Sequence, residues 1–373
     1  MIPLNQLHDA FADNFATHGE LGAAFCLWSD QGPVVSLAGG TLTKDDHAGP
    51  WRENTLVPVW STTKGPAAAT LLLCLDRAGL SLDTDVRHVW PRLAGPLTFG
   101  QLLSHQSGLP ALDLDTSVFD HDAAVTALEQ QPAAWRPGTA HGYHPRTFGP
   151  LLDECVRRLS GAPLGLIWRR EIAEPLDLEI WIGLPEREHP RVATVYPGPF
   201  TSKPGEEGFT RAFSNPASLT RRSFASLRGL QSIAEMNQPP ARLLASPAFS
   251  GIASARGLAR FYHALATGDG GLFSPRLRHW AETPLVNGPD RVLLLPTSFS
   301  AGFQKDPVGP ASVKLRDHYG HSPRAFGHPG AGGSLAWADP ERRLGGAYVM
   351  NLIAPGVLPS QRTLALVHAS SHP

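Results

Sequence analysis

Ser61-Thr62-Thr63-Lys64 is the only S-x-x-K in the 373-residue chain. At the start of a helix, residues i and i+3 share a face, so this spacing lets a hydroxyl and an amine meet. A serine hydroxyl is a poor nucleophile at neutral pH. A lysine can act as its base only if burial or a neighbouring cation lowers the amine pKa by several units from about 10.4. The helix N-terminus also offers unpaired N–H groups to an oxyanion. The competing reading is a serine cap with a solvated lysine one turn on. Only five of the 32 basic residues are lysines (Lys44, Lys64, Lys203, Lys305 and Lys314), so the setting of each is worth establishing.

Three further stretches follow in order: Leu102-Leu103-Ser104-His105-Gln106-Ser107-Gly108-Leu109-Pro110, then Pro137-Gly138 leading to Gly142-Tyr143-His144, then Phe326-Gly327-His328-Pro329-Gly330-Ala331-Gly332-Gly333-Ser334. Taken singly, Tyr143 reads as a buried aromatic ahead of a helix and the glycine run as a tight strand entry. Together and in this order, over roughly residues 20 to 355, they make the chain resemble the β-lactamase-like serine hydrolases. That superfamily holds class C β-lactamases, penicillin-binding carboxypeptidases and family VIII carboxylesterases. The stretch from Gly142 to Gly161, the segment Ile180-Trp181-Ile182-Gly183-Leu184-Pro185 and the triplet His328-Pro329-Gly330 resemble the esterase branch most.

Carried over by residue, the resemblance implies that Ser61 is the acylated nucleophile, Lys64 its partner and Tyr143 the second member of the acid–base pair. Which of the two is the base stays open at this level. The backbone N–H groups of Ser61 and Ala331 are implied as the oxyanion hole. Loss of one such donor typically costs about 100-fold to 1000-fold in turnover. His328, Gly330, Gly332, His144 and Trp337 are the expected substrate-binding residues.

Two departures from the family pattern bear on substrate. Pro145 stands two residues after the tyrosine, where an asparagine amide would bind an acyl-amide side chain. His328 replaces the lysine of the third motif and, with a reference pKa of about 6.5, is mostly uncharged at neutral pH. Both changes favour a neutral ester over an anionic β-lactam. The chain has no G-x-S-x-G, which excludes the nucleophile elbow of the α/β-hydrolases, and its glycine run lacks the ending of a P-loop. Asp113, Asp115, Asp120, His121 and Asp122 form a polar loop without EF-hand spacing, and His318, His321 and His328 are not spaced as a zinc site.

The elements that must position these residues are legible in outline. Leu4, Leu7, Ala10, Phe11 and Phe15 have helical spacing, and Ala23 to Trp28 with Val34 to Leu37 read as a hairpin around Asp30-Gln31-Gly32. The run Ala67 to Ala78 is a strong helix. Phe99–Ser104, Ala123–Gln130, Thr147–Leu159 and Leu164–Ala173 make the middle look like an all-helical insertion. Residues 195–250, dense in Pro, Gly and Ser, read as a long loop with one short helix that walls a pocket. The last third predicts a helix over Ala255–Ala266, strands over Phe299–Phe303, Leu335–Ala338 and Gly346–Asn351, and a closing helix over Gln361–Ala369. The expected fold is α/β (α+β): a mainly antiparallel sheet built from both chain ends, flanked by helices, with a helical insertion. The expected division is 1–60 with 251–373 as the sheet domain and 61–250 as the helical domain.

Composition narrows the function classes. A net charge of -1 leaves no bulk charge for nucleic acid, and a hydrophobic share of 42% supports a large core. Glycine (37) and proline (35) make roughly a fifth of the chain, above the usual eighth, in keeping with many loops. No apolar run reaches the roughly 20 residues of a membrane helix and Met1–Phe15 is polar, so a cytoplasmic protein without a secretory signal or membrane partner is expected. Cys26, Cys74 and Cys155 are read as buried, reduced thiols. The expected activity is hydrolysis of small to medium carboxylic esters, a small-molecule substrate, with neither metal nor organic cofactor. An amidase, a peptidase on D-amino-acid amides or an acyltransferase would use the same motifs, and a non-catalytic binding protein would leave Ser61 unreactive.

Overall fold

The computed structural model describes residues 2–45, 49–199 and 203–371; residues 200–202 of the expected pocket-walling loop lie outside them. In chain order the strands are β1 (Gly22–Ser29), β2 (Gly32–Gly40), β3 (Val57–Trp60), β4 (Ile180–Trp181), β5 (Tyr196–Pro197), β6 (Gly251–Ala253), β7 (Val286–Pro289), β8 (Pro296–Phe299), β9 (Gln304–Lys305), β10 (Phe326–Pro329), β11 (Leu335–Asp339), β12 (Leu344–Met350) and β13 (Leu352–Ile353). The helices are α1 (Leu4–Ala16), α2 (Lys64–Arg77), α3 (Phe99–Leu103), α4 (His121–Gln130), α5 (Phe148–Ser160), α6 (Leu164–Trp168), α7 (Glu207–Phe213), α8 (Leu219–Ala225), α9 (Ile233–Met236), α10 (Pro239–Leu243), α11 (Ala255–Thr267), α12 (Pro275–Glu282) and α13 (Gln361–Ser371).

Both chain ends build the main sheet, as expected. Its eight strands run β2-β1-β12-β11-β10-β9-β8-β7, all neighbours antiparallel, with Ala23 opposite Met350 and Trp28 opposite Gly345 where the two ends meet. One face is covered by α11 and the other by α1 and α13. The approach of α11 depends on Gly345, where a Cβ would stand 2.1 Å from the Ala259 carbonyl oxygen.

The middle stretch is helical except for β4. With β3 and β6 it forms a second sheet, β3-β6-β4. Strands this short carry no readable period. The segment 195–250 holds four short helices rather than one. Its Ser and Pro residues, which read as loop formers, are helix starts: Ser218 caps α8, Ser232 forms a capping box with Glu235, and Pro239 opens α10. The strand expected over Phe299–Phe303 ends at Phe299; Gly302, at φ 87°, turns the chain and Ser300 N–H bonds Phe303 O at 2.9 Å. Cys26 and Cys155 are buried and Cys74 is half-buried; all three are free thiols. Among the described residues no helix is long and apolar enough to cross a membrane.

Helix α2 is buried over nearly its whole length, from Lys64 to Leu75. Its Ala/Leu sequence suits a helix surrounded by core rather than one with a solvated face. The residue at its start is therefore held inside the protein.

Candidate active site

Ser61 opens a single 3₁₀ turn, Ser61–Thr63, between β3 and α2. Trp60 just before it has φ 46° and ψ -128°, a conformation a bulky residue rarely adopts and one that costs on the order of 1–3 kcal/mol. Surrounding bonds hold the turn in place. The Thr63 hydroxyl donates to Trp60 O and accepts from Gly251 N–H at 2.9 Å, tying the turn to β6.

Lys64 has 0% exposure, which rules out the solvated-lysine reading. Its Nζ lies 3.2 Å from Ser61 Oγ, 3.0 Å from Pro145 O and 2.8 Å from Ala248 O. Burial, and secondarily the Arg146 guanidinium, holds the amine well below the ordinary lysine pKa. Arg146 is itself pushed down to about 10, mainly by burial. It donates to Leu230 O and Leu227 O at 3.2 and 2.8 Å and to Gly229 O, and it lies 4.3 Å over the Phe249 ring, fastening the 195–250 segment beside Lys64.

The Tyr143 ring centroid is 4.8 Å from Lys64 Nζ. Burial pushes the phenol above the usual tyrosine range, opposed in part by its hydrogen bond with the Ser61 side chain. Directly behind it is Asp290, a residue the sequence analysis missed. Both carboxylate oxygens accept Tyr143 N–H at 3.1 Å, and the same carboxylate accepts from Val292 N–H and Leu293 N–H at 2.8 Å and Thr297 O–H at 3.1 Å. The signal available was Gly288-Pro289-Asp290, a turn sequence whose Asp caps the backbone ahead of it. His105 was quoted in a motif without a role. With φ 61°, its ring packs against Tyr143, His144, Phe148 and Phe299 at centroid distances of 5.0, 5.3, 4.7 and 4.6 Å.

The glycine-rich turn meets the Ser61 turn at Gly330. A Cβ there would stand 2.2 Å from Val59 O and 2.1 Å from Ser334 Oγ, so only glycine lets the β10–β11 turn close on β3. Ser334 O–H donates to Val59 O at 3.0 Å, and Ser334 Oγ and Thr62 Oγ1 are 3.3 Å apart. Gly332, at φ 95°, accepts Ala354 N–H at 2.9 Å. Ala331 stands exposed between the two glycines.

Pairing of His328 with Ala336 puts its side chain on the α11 side of the sheet, where its ring lies 6.0 Å from Tyr143. Burial, with Lys64 adding to it, pushes its pKa down to about 3, so the ring is neutral. Two other expected substrate contacts have partners within the fold. His144 is fully buried, with Nε2 bonded to the Ser107 hydroxyl at 2.7 Å and Nδ1 to Gly142 O at 2.6 Å, so neither nitrogen is left for a substrate. Trp337 pairs with Gly327 and Gly346, one residue out of phase with His328, so it points to the opposite face and packs near Phe25.

Tyr143 belongs to a buried apolar cluster with Phe209, Val292, Leu293, Leu295 and Phe299, on which Phe213 and Phe224 pack. The acidic loop residues have structural partners. Asp113 pairs with Arg222, Asp115 with Arg228, Asp120 caps α4, and His121 sits 3.2 and 3.0 Å from Asp153 and Glu154.

The family described as Beta-lactamase matches residues 7–369. The chain is 33% identical to an esterase/beta-lactamase, LipL, of Mycobacterium tuberculosis, covering 94% of this chain and 81% of that one. Among solved structures it is similar to a penicillin-binding protein homolog from Caulobacter crescentus (36% identity, TM-score 0.83) and to a family VIII carboxylesterase (30%, TM-score 0.84). Each of these matches covers 98% of this chain and 96% of the other.

Proposed function

For a chain that belongs to the β-lactamase family, we propose that the activity is hydrolysis of neutral carboxylic esters through an acyl-enzyme on Ser61. The observation that carries this reading is the bonding of Lys64. A neutral amine has two hydrogens and one lone pair. In that form, which burial favours, two carbonyls that can only accept, Pro145 O and Ala248 O, take the hydrogens, so the lone pair faces the Ser61 hydroxyl 3.2 Å away. Burial favours the same neutral form and keeps the Tyr143 phenol protonated. Lys64 is thus the base and Tyr143 the acid.

Lys64 takes the Ser61 proton as Oγ attacks the ester carbonyl, and the oxyanion is held by the Ser61 and Ala331 N–H groups. Tyr143 gives its proton to the leaving alcohol and regains one from the Lys64 ammonium, so the net transfer is from serine to alcohol. The same pair then activates water to release the acid. The aromatic and aliphatic wall beside Tyr143 suits small to medium apolar acyl groups. Weak or absent β-lactam turnover is expected, because Pro145 offers no amide and the buried, neutral His328 offers no charge to a carboxylate.

Incubation with p-nitrophenyl butyrate, alongside Ser61→Ala, tests this by product release and intact mass. A burst with an acyl adduct on Ser61 is the expected result. Absence of both turnover and adduct in folded protein would sink the proposal.

A further inference from the structure

Two of the hollows that lie away from Ser61 differ in charge. The groove at the start of α11, about 480 Å³, is balanced, with Arg52, Arg256 and Arg260 facing Glu53, Asp177 and Glu179. The other, about 740 Å³, lies between the end of α1, β13, the start of α13 and the 315–318 loop. His18, Lys203, Arg316, His318 and Arg362 line it, and among the described residues no Asp or Glu does. In a chain with 33 acidic and 32 basic residues, that one-sidedness is a local property. Its volume is in the range of small-molecule pockets.

Arg362 is neutralised by Glu20, 2.6 Å away. Among the described residues neither Lys203 nor Arg316 has a carboxylate at ion-pair distance. Lys203 donates to Leu358 O at 2.6 Å and Arg316 to Pro296 O at 2.6 Å, so each has donors to spare. Glu206 acts on both and accepts the Val357 and Leu358 amides at 2.7 and 2.6 Å, while Asp306, the stronger acid influence on Arg316, pairs with Lys314 at 3.1 Å and accepts His318 N–H at 2.9 Å. Burial lowers both cations and also His318, which Arg316 and Lys203 depress further to about 3. An anion would relieve this crowding, and the first turn of α13 adds the positive end of an 11-residue helix. The rest of the wall is apolar: Leu315, Leu352, Leu358 and Leu364.

We propose that this cavity binds an anionic amphiphile, one acidic head group held by Lys203 and Arg316 with an apolar chain along the leucines. The inference does not depend on the esterase reading, because it is tested by binding to the Ser61→Ala protein. Calorimetric titration with decanoate, decyl phosphate, decanol and acetate is the experiment. At least one of the two long-chain anions is expected to bind tenfold or more tighter than both decanol and acetate, and the better one identifies the head group. Lys203→Gln with Arg316→Gln should weaken it at least tenfold, whereas Arg316→Lys should stay within about threefold. If the double variant does not fold, Lys203→Gln alone should cost threefold or more. Decanol or acetate binding as tightly as both anions, or undiminished binding in the folded glutamine variants, would overturn the proposal.

Discussion

Lys64 and Lys305 sit in two regions built alike. Each is buried, and each gives hydrogens to two backbone carbonyls: Pro145 O and Ala248 O at 3.0 and 2.8 Å for Lys64, Arg324 O and Ala325 O at 3.0 Å for Lys305. Burial lowers both amines. The regions differ in what else is near. Glu282 and Asp306 pull Lys305 back up against Lys314 and Arg324, which lower it further, and it ends at about 8. Lys64 has only Arg146 as a charged influence and has a hydroxyl at its third position. Burying a lysine therefore does not by itself make a base; on the proposed mechanism the site also needs a proton donor at the lone pair and no acid to restore the charge.

The sharpest way to break the comparison is substitution. Ser61→Ala should lower kcat by about 10⁴-fold or more, and Lys64→Met by about 10³-fold or more. Lys305→Met should leave kcat within twofold. Both lysine variants orphan two carbonyls, so each should lose about 1–3 kcal/mol of stability per unsatisfied oxygen. Equal losses of activity in the two, measured with matched thermal melts, would erase the distinction. Tyr143→Phe comes next, with an expected fall of about 10²- to 10⁴-fold in kcat and little change in melting temperature.

A pH series sharpens it further. A lysine depressed in the fold binds fewer protons there than in the unfolded chain, so stability rises with pH between the folded pKa and about 10.4. For Lys305 that window opens at about pH 8. Denaturant unfolding from pH 7 to 10 should show a shallower rise in Lys305→Met than in the wild type. The acid limb of kcat/KM should follow Lys64, with no inflection near 6.5 from His144 or His328, both held at about 3 by burial. The smallest effect concerns the acyl wall. Phe213→Ala or Phe224→Ala should shift chain-length preference toward longer p-nitrophenyl esters by roughly tenfold in kcat/KM, the low end of what one methylene is worth in a pocket.

The sequence made some of this legible and hid the rest for definite reasons. Ser61 and Lys64 could be paired because their spacing is a property of one helix start. Tyr143 and the glycine turn were found through motif order. The sheet from both chain ends followed from strand patterns at the termini. Asp290, by contrast, serves Tyr143 across 147 positions, and no local pattern announces such a bond. The orientations of His144 and Trp337 were not legible because they depend on side-chain partners and strand register. The helices of 195–250 were missed because Ser and Pro serve equally as loop formers and as helix caps.

The clasp between Ser334 and the Val59–Thr62 turn joins positions more than 270 residues apart. During synthesis at roughly 5–20 residues per second, the Ser61 turn therefore exists for on the order of a quarter of a minute to a minute before Ala331 is made. With the proposed oxyanion hole divided between the two, a nascent chain would carry its serine unarmed, and the proposed esterase activity would serve as a readout that the last third has docked.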